Sequence, residues 1–229
     1  CPPSAKLCAE LPDTSSEYAQ EGTDAHALCE HRLKALLGRE TTDPTENLTY
    51  YNEEMERCAV EYATYAYEQV KKAKVACNDP IVLIEQKLDF SRWVPEGFGR
   101  GDCVIVADGT LSVIDFKYGK GVEVRAENNP QMMLYALGAL ELFDGIYDIS
   151  AVNMIIFQPR RDNISEYAIS KEELLRWANE ILTPTAQLAA NGDGDFKAGK
   201  HCRFCKVRAT CRKLAEYNLA LARYDFEPP

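Results

Sequence analysis

The sequence predicts an α/β fold in which helices flank a central group of strands. Three observations lead there. β-Prone runs crowd between residues 81 and 169, long helical segments precede and follow them, and Asp108-Gly109 sits between two such runs as a hairpin signal. At 229 residues the chain has room for one large domain. No apolar run approaches the ~20 residues of a membrane span and no signal peptide is visible, so a cytoplasmic protein without membrane contact is expected. The net charge of −10 argues against a nonspecific nucleic-acid coat but leaves room for a local basic groove.

Taken in order, Cys1-Pro2-Pro3-Ser4 opens an irregular segment. A helix begins near Ser15 or Ser16 and ends at Gly38, with Leu28, Leu33, Leu36 and Leu37 on its apolar side. A polar loop over 40–50 leads to a long helix from Asn52 to about Ala76. Strand character returns over Ile81–Phe90. The hairpin strands follow as Cys103–Val106 and Leu111–Ile114. Asn129-Pro130 starts a helix that runs to Phe143, and strands are expected at Val152–Gln158 and Ile164–Ile169. The next helix, Lys171 to Ala190, should be kinked or divided at Pro184. Residues 191–195 form a linker. The reading is one domain over 1–229, made of a helical part (1–80), a core (81–190) and a terminal segment (191–229).

Chemistry concentrates first on the hairpin. With Asp108 and Gly109 as a type I′ two-residue loop, Ala107 faces Thr110 and Asp102 falls directly opposite Asp115. Opposed residues share a face with Cβ atoms roughly 5 Å apart. Lys117, two residues beyond Asp115, joins that face. Two carboxylates this close repel unless one is protonated or a cation sits between them. A divalent metal would be such a cation, with the lysine free to meet a phosphate or a water. The competing reading is a surface hairpin with solvated charges. Glu85 approaches this site if its strand neighbours the hairpin. His26 and Glu30 share one helix face, as do Gln131 and Tyr135.

The second concentration is Cys202, Cys205 and Cys211, spaced C-x2-C-x5-C. With nothing to suggest secretion, three clustered cysteines favour a metal over disulfides, and either zinc or an iron–sulfur cluster suits the spacing. No acidic residue occurs from Phe196 through Ala215, whereas Lys197, Lys200, Arg203, Lys206 and Arg208 all fall there. In an acidic chain this run is a local basic patch suited to phosphates, or else a solvated tail.

Together these pieces resemble the RecB-type branch of the PD-(D/E)XK nuclease superfamily. The resemblance is to its cysteine-containing members, such as the AddB nuclease domain, the CRISPR-adaptation exonucleases and a prophage-associated exonuclease family. Gly22-Thr23-Asp24-Ala25-His26 followed by Glu30 is similar to the GTxxH motif. Gly99-Arg100-Gly101-Asp102 resembles G-x-x-D, Asp115-Phe116-Lys117 resembles D-x-K, and Gln131 to Tyr135 resembles Q-x-x-x-Y. Cys1-Pro2 stands where that family carries an isolated cysteine.

The resemblance implies a restriction-endonuclease-like core, a mixed sheet flanked by helices. It implies that His26, Asp102, Asp115 and the Phe116 carbonyl bind Mg²⁺ or Mn²⁺, with Glu85 as a supporting acid. Lys117 would position or activate water, and Gln131 and Tyr135 would orient the lysine or the DNA. Cys1, in its Cys-Pro context rather than Cys8, would join Cys202, Cys205 and Cys211 around a [4Fe–4S] cluster that aerobic handling can strip or replace with zinc. DNA would be the substrate, in phage-type recombination or processing, with a helicase or recombination protein as partner. The rival readings are a non-catalytic DNA-binding or scaffold module, and a metal-dependent hydrolase acting on another substrate.

Overall fold

The structure, a computed structural model, describes residues 1–12 and 16–224. These fall into two compact units. The larger comprises the described residues of Ser15–Arg92 and Glu96–Trp177; the smaller comprises those of Cys1–Thr14, Trp93–Pro95 and Ala178–Pro229. The N-terminal helices thus share a unit with the strands, and the first residues share a unit with the cysteine segment.

The larger unit is built on one mixed sheet. Strands β1 (Ile81–Asp89), β2 (Phe98–Ala107), β3 (Gly109–Phe116), β4 (Ile149–Gln158) and β5 (Asn163–Ser170) lie side by side in that order. All neighbours are antiparallel except β3 and β4. A parallel pair needs a crossover. The helix Pro130–Phe143, defined below as α4, supplies it.

The hairpin register is the expected one: Cys103 pairs with Ile114 and Ala107 with Thr110. The turn itself differs. A type I′ turn needs positive φ at both central residues, and only Gly109, at +83°, has it. Neighbours explain this. Gly109 N–H donates to the Asp148 carbonyl (2.7 Å), and Asp108 Oδ1 accepts the Asp148 N–H (3.4 Å), so the turn is shaped by the start of β4.

Helices cover both faces. α1 (Ser4–Ala9) belongs to the smaller unit. α2 (Glu17–Leu36) and α3 (Glu53–Ala76) lie on one face of the sheet. Their Leu28, Leu33, Met55 and Tyr62 pack with Cys103, Ile105, Ile114 and Phe116. Ser16 caps α2 by accepting the Ala19 N–H (3.2 Å); Ser15, the alternative start, lies outside the described residues. Asn52 caps α3 through Met55 N–H (2.9 Å). α4 (Pro130–Phe143), with Pro in its first turn and Asn129 as its cap, lies on the other face. Gly138 makes that approach possible: a Cβ there would stand 2.9 Å from Leu88 Cβ and 3.2 Å from the Asp89 carbonyl.

The helix expected over 171–190 is divided. α5 (Lys171–Trp177) passes into a π-helical turn, Ala178–Leu182, before α6 (Thr183–Asn191) restarts with Pro184 in its first turn. The proline offers no N–H and crowds the preceding carbonyls, which widens the turn before it. In the smaller unit, α1 replaces the expected irregular start, because Ser-Ala-Lys-Leu-Cys-Ala are adequate helix formers once past Pro3. The sequence reading also omitted α7 (Arg212–Tyr224), which follows the last cysteine. Among the described residues no helix is long and apolar enough to cross a membrane.

Candidate metal centre

Three adjacent strands carry one row of carboxylates. Asp102 on β2 lies across from Asp115 on β3 by the hairpin register, and across from Glu85 on β1 by the register that pairs Ile84 with Cys103 and Gln86 with Gly101. Glu85 is the one residue of that stretch without a ladder partner, and its φ is +50°. A non-glycine residue in the left-handed region is strained by about 1–3 kcal/mol and marks places where the surroundings demand an unusual side-chain direction. His26 Nδ1 stands 3.1 Å from Asp102 Oδ1 and 3.8 Å from Glu85 Oε1.

His26, Glu85 and Asp102 each offer one ligand atom within 4.8 Å of the others. Asp115 stands beside this group but turns to the α4 side. Lys117 Nζ is 2.9 Å from Asp115 Oδ2, at an angle that leaves that buried oxygen without an accepted hydrogen bond. Gln131 serves as a clamp: its Oε1 accepts from Lys117 (3.0 Å), while its amide donates to Asp115 Oδ1 (3.2 Å) and Tyr135 Oη (2.9 Å). Tyr135 in turn lies on the bare backbone of Gly99, where a Cβ would come within 2.4 Å of its ring. Asp102 Oδ2 accepts the Phe116 N–H (2.6 Å), and the Phe116 ring meets His26 edge-on at 5.4 Å.

Charge is concentrated accordingly. Burial pushes His26 down, but its hydrogen bonds to Asp102 and Glu85 outweigh that and hold it up at about 10. Burial, and then the Asp102 charge, raise Asp115 to about 6 despite Lys117. An ionised Asp115 at neutral pH is therefore costly without further positive charge. A nitrogen and carboxylate oxygens around an open buried oxygen form a donor set that fits a hard or borderline divalent cation.

Glu30 does not join His26; it pairs with Lys34 at 2.6 Å. Sequence reasoning also missed Arg160. Its guanidinium binds Glu21 (3.1 Å) on α2 and Glu54 (2.9 Å) on α3, and stacks 4.3 Å from the Tyr118 ring. No local pattern marks it, since its partners are distant in sequence.

In the smaller unit Cys1, Cys8, Cys202, Cys205 and Cys211 line one cavity of about 240 Å³. Every one of the nine thiols is free. Cys8 Sγ is 3.9 Å from Cys205 Sγ, but no three sulfur atoms among the described residues come within 4.8 Å of one another. His201 Nε2 is 2.9 Å from the Lys197 carbonyl oxygen. Lys197, Lys200, Arg203, Lys206 and Arg208 are all exposed. The other four cysteines are buried in the larger unit, where desolvation lifts the Cys103 thiol to about 12.

Two solved structures share a remote likeness. One is a protein solved as SSO0001, at 16% identity and a TM-score of 0.32, covering 81% of this chain and 95% of that one. The other, from Eubacterium rectale, was solved under the name "Putative exonuclease", at 11% identity and a TM-score of 0.44, covering 91% of this chain and 79% of that one. At these scores neither adds to the fold, which rests on the strand order described above. Relation at the level of the whole sequence is clearer: the profile described as "Protein of unknown function (DUF2800)" matches residues 1–229, and the chain belongs to that family.

Proposed function

We propose that the protein is a Mg²⁺- or Mn²⁺-dependent deoxyribonuclease, an exonuclease of the RecB-like branch of the PD-(D/E)XK superfamily. The observation that carries this reading is the row Glu85–Asp102–Asp115, flanked by His26 on one side and Lys117 on the other. His26, Glu85, Asp102 and Asp115 would hold the metal, with the Phe116 carbonyl as a further ligand. The nitrogen donor makes Mn²⁺ a comfortable guest. When bound, the ion polarises the phosphate and lowers the pKa of a water.

The chain's own residues do the rest. To hold the ion His26 would release its proton, and the positive charge would relieve the mutual repulsion of the carboxylates. Lys117, presented by the Gln131 carbonyl oxygen, meets the scissile phosphate and stabilises the charge that develops on it. Tyr135 fixes the Gln131 amide, so the lysine keeps its aim when the substrate arrives.

Cys1, Cys202, Cys205 and Cys211 would bind a [4Fe–4S] cluster. The exposed lysines and arginines of this segment would take DNA phosphates, and a helicase or recombination protein is the natural supplier of ends.

Incubating labelled single- and double-stranded DNA with Mn²⁺, with and without chelator, tests the reading. Cleavage that requires the metal and is lost in Asp115→Ala is expected. DNA binding without cleavage by the wild type would instead establish the non-catalytic module.

A further inference from the structure

The β1–β2 hairpin runs on past the metal row, and its far end has no role in the site described above. Lys87 pairs with Arg100 there, and Asp89 with Phe98. The ladder break at Glu85, a residue in the left-handed region with the same register on either side, decides which way these side chains point. Before it, Val82 and Ile84 pack into the α2/α3 core; after it, Leu88 lies against α4. All three positions are even-numbered, so the alternation reverses at Glu85 without a shift of register. β2 follows suit, with Gly99 under Tyr135 and Gly101 against Leu88. The intervening residues, Lys87, Phe98 and Arg100, therefore stand on the face away from α4. Arg100 Nη1 reaches Glu85 Oε2 at 3.9 Å, which puts this face on the side of the metal ligands.

The strip is chemically distinctive. Phe98 is 66% exposed, as is the Arg100 side chain, and Lys87 Nζ sits 4.8 Å from the Phe98 ring centroid. The fold gains little from a phenyl ring placed in water. Asp89, the acid opposite Phe98, accepts the Ser91 N–H at 2.8 Å. A single ring among charges is too small an apolar surface for a protein partner. It matches a nucleobase, which stacks on an aromatic face while adjacent cations meet the phosphates.

We propose that this strip is a platform for single-stranded nucleic acid, with a base stacked on Phe98 and backbone phosphates on Lys87 and Arg100. The assignment rests on the nuclease reading for its substrate class and adds strand selectivity to it. Interior bases of a duplex are stacked on both faces, so every base of a single strand, but only the ends of a duplex, offers a face for stacking. Four residues of strand separate Phe98 from Asp102, roughly 13 Å, so the stacked base lies a short step along the strand from the metal row.

The test is binding of a fluorescent oligothymidylate in EDTA, followed by anisotropy, so that neither metal nor cleavage enters. Phe98→Ala should weaken binding roughly 5- to 100-fold. Phe98→Trp should retain it. Arg100→Gln should weaken it and flatten the salt dependence by about 0.7 in log–log slope. A covalently closed duplex, which has no free base face, should be insensitive to Phe98→Ala. No binding by the wild type, binding indifferent to Phe98→Ala, or equal losses on single strand and duplex would each overturn the proposal. The two readings fail separately. Phe98-dependent binding in a protein that never cleaves leaves the platform standing and removes the nuclease. Metal-dependent cleavage with Phe98-independent binding does the reverse.

Discussion

Asp115 is the residue on which the electrostatics of the site turn. Its acid group is raised from 3.8 to about 6, chiefly by burial and then by Asp102. A folded-state value above the unfolded one stabilises the fold below pH 3.8, and that contribution is lost as pH rises through 6. Above pH 6 the metal-free protein therefore carries a burden of roughly 3 kcal/mol at this side chain. Asp115→Asn removes it. In EDTA at pH 8 the variant should melt about 3–10 °C above the wild type, and at pH 3.5 the difference should vanish. Added Mn²⁺ should stabilise the wild type more than the variant. A variant that melts lower than the wild type at pH 8 in EDTA would show that Lys117 already compensates the charge. His26 has the same sign over another window. Its value is raised from 6.5 to about 10, so its contribution in the metal-free state is complete below 6.5 and disappears as pH rises through 10. A metal must displace that proton, so Mn²⁺ affinity measured by calorimetry should rise from pH 6 to pH 8. His26→Ala should bind more weakly, lose most of that slope and, in EDTA, melt below the wild type by a margin that shrinks as pH rises towards 10. Lys117→Ala should keep Mn²⁺ affinity and lose at least about 100-fold in cleavage rate, as befits a group that acts on the developing charge.

At the scale of elements, the ladder break at Glu85 turns a plain strand into part of the site. Comparing two variants isolates its strain. Glu85→Gln and Glu85→Gly both remove the charge beside His26, but only glycine accepts a φ of +50° without penalty. Glu85→Gly should therefore be about 1 kcal/mol more stable than Glu85→Gln in denaturant melts. Both should lower Mn²⁺ affinity roughly 10-fold or more. Equal stabilities would mean the backbone there is relaxed. The same strand shows what was legible in the sequence and what was not. The Asp108-Gly109 turn fixes the pairing of Asp102 with Asp115 because register follows from loop position, whatever the turn type. Pro184 announces the break before α6 because its ring excludes a regular turn. The ladder break leaves no such mark: Glu85 has neither glycine nor proline beside it, and the charged groups that face it, His26 and Arg100, are distant in sequence. Arg160 was hidden for the same reason. α1 was missed because Pro2-Pro3 outweighs six helix formers in the local pattern, and α7 because Cys211, which precedes it, is not a residue type that marks a helix start.

At the scale of the whole molecule, the two units differ in what holds them together. The larger has a continuous apolar core on the α2/α3 face of its sheet. The smaller buries few apolar side chains, Trp93, Ala178 and Ala186 among them. Among the described residues α1 and α7 contain no buried side chain, and Leu7, Phe196, Phe204 and Leu219 are exposed. A segment of this size with so small a core needs a staple. Four of the five cysteines around one cavity, Cys1, Cys202, Cys205 and Cys211, supply the ligands for it, drawn from the approach to α1 on one side and from the segment after α6 on the other. A cluster bound there closes a loop of about 200 residues, and loop closure on the ~100-residue scale is worth ~5 kcal/mol in the disulfide analogue. Ligation energy adds to this because it is coupled to folding. Anaerobically prepared protein should therefore be brown, with iron and sulfide in near-equal amounts. Cys202→Ala should bleach it, expose residues 196–224 to protease and weaken DNA binding, while the protease resistance of the larger unit and its Mn²⁺ affinity stay unchanged. A colourless anaerobic protein with one stoichiometric zinc would replace the cluster by a smaller staple. If neither metal is present and Cys202→Ala resists protease like the wild type, the smaller unit is held by contacts other than its cysteines.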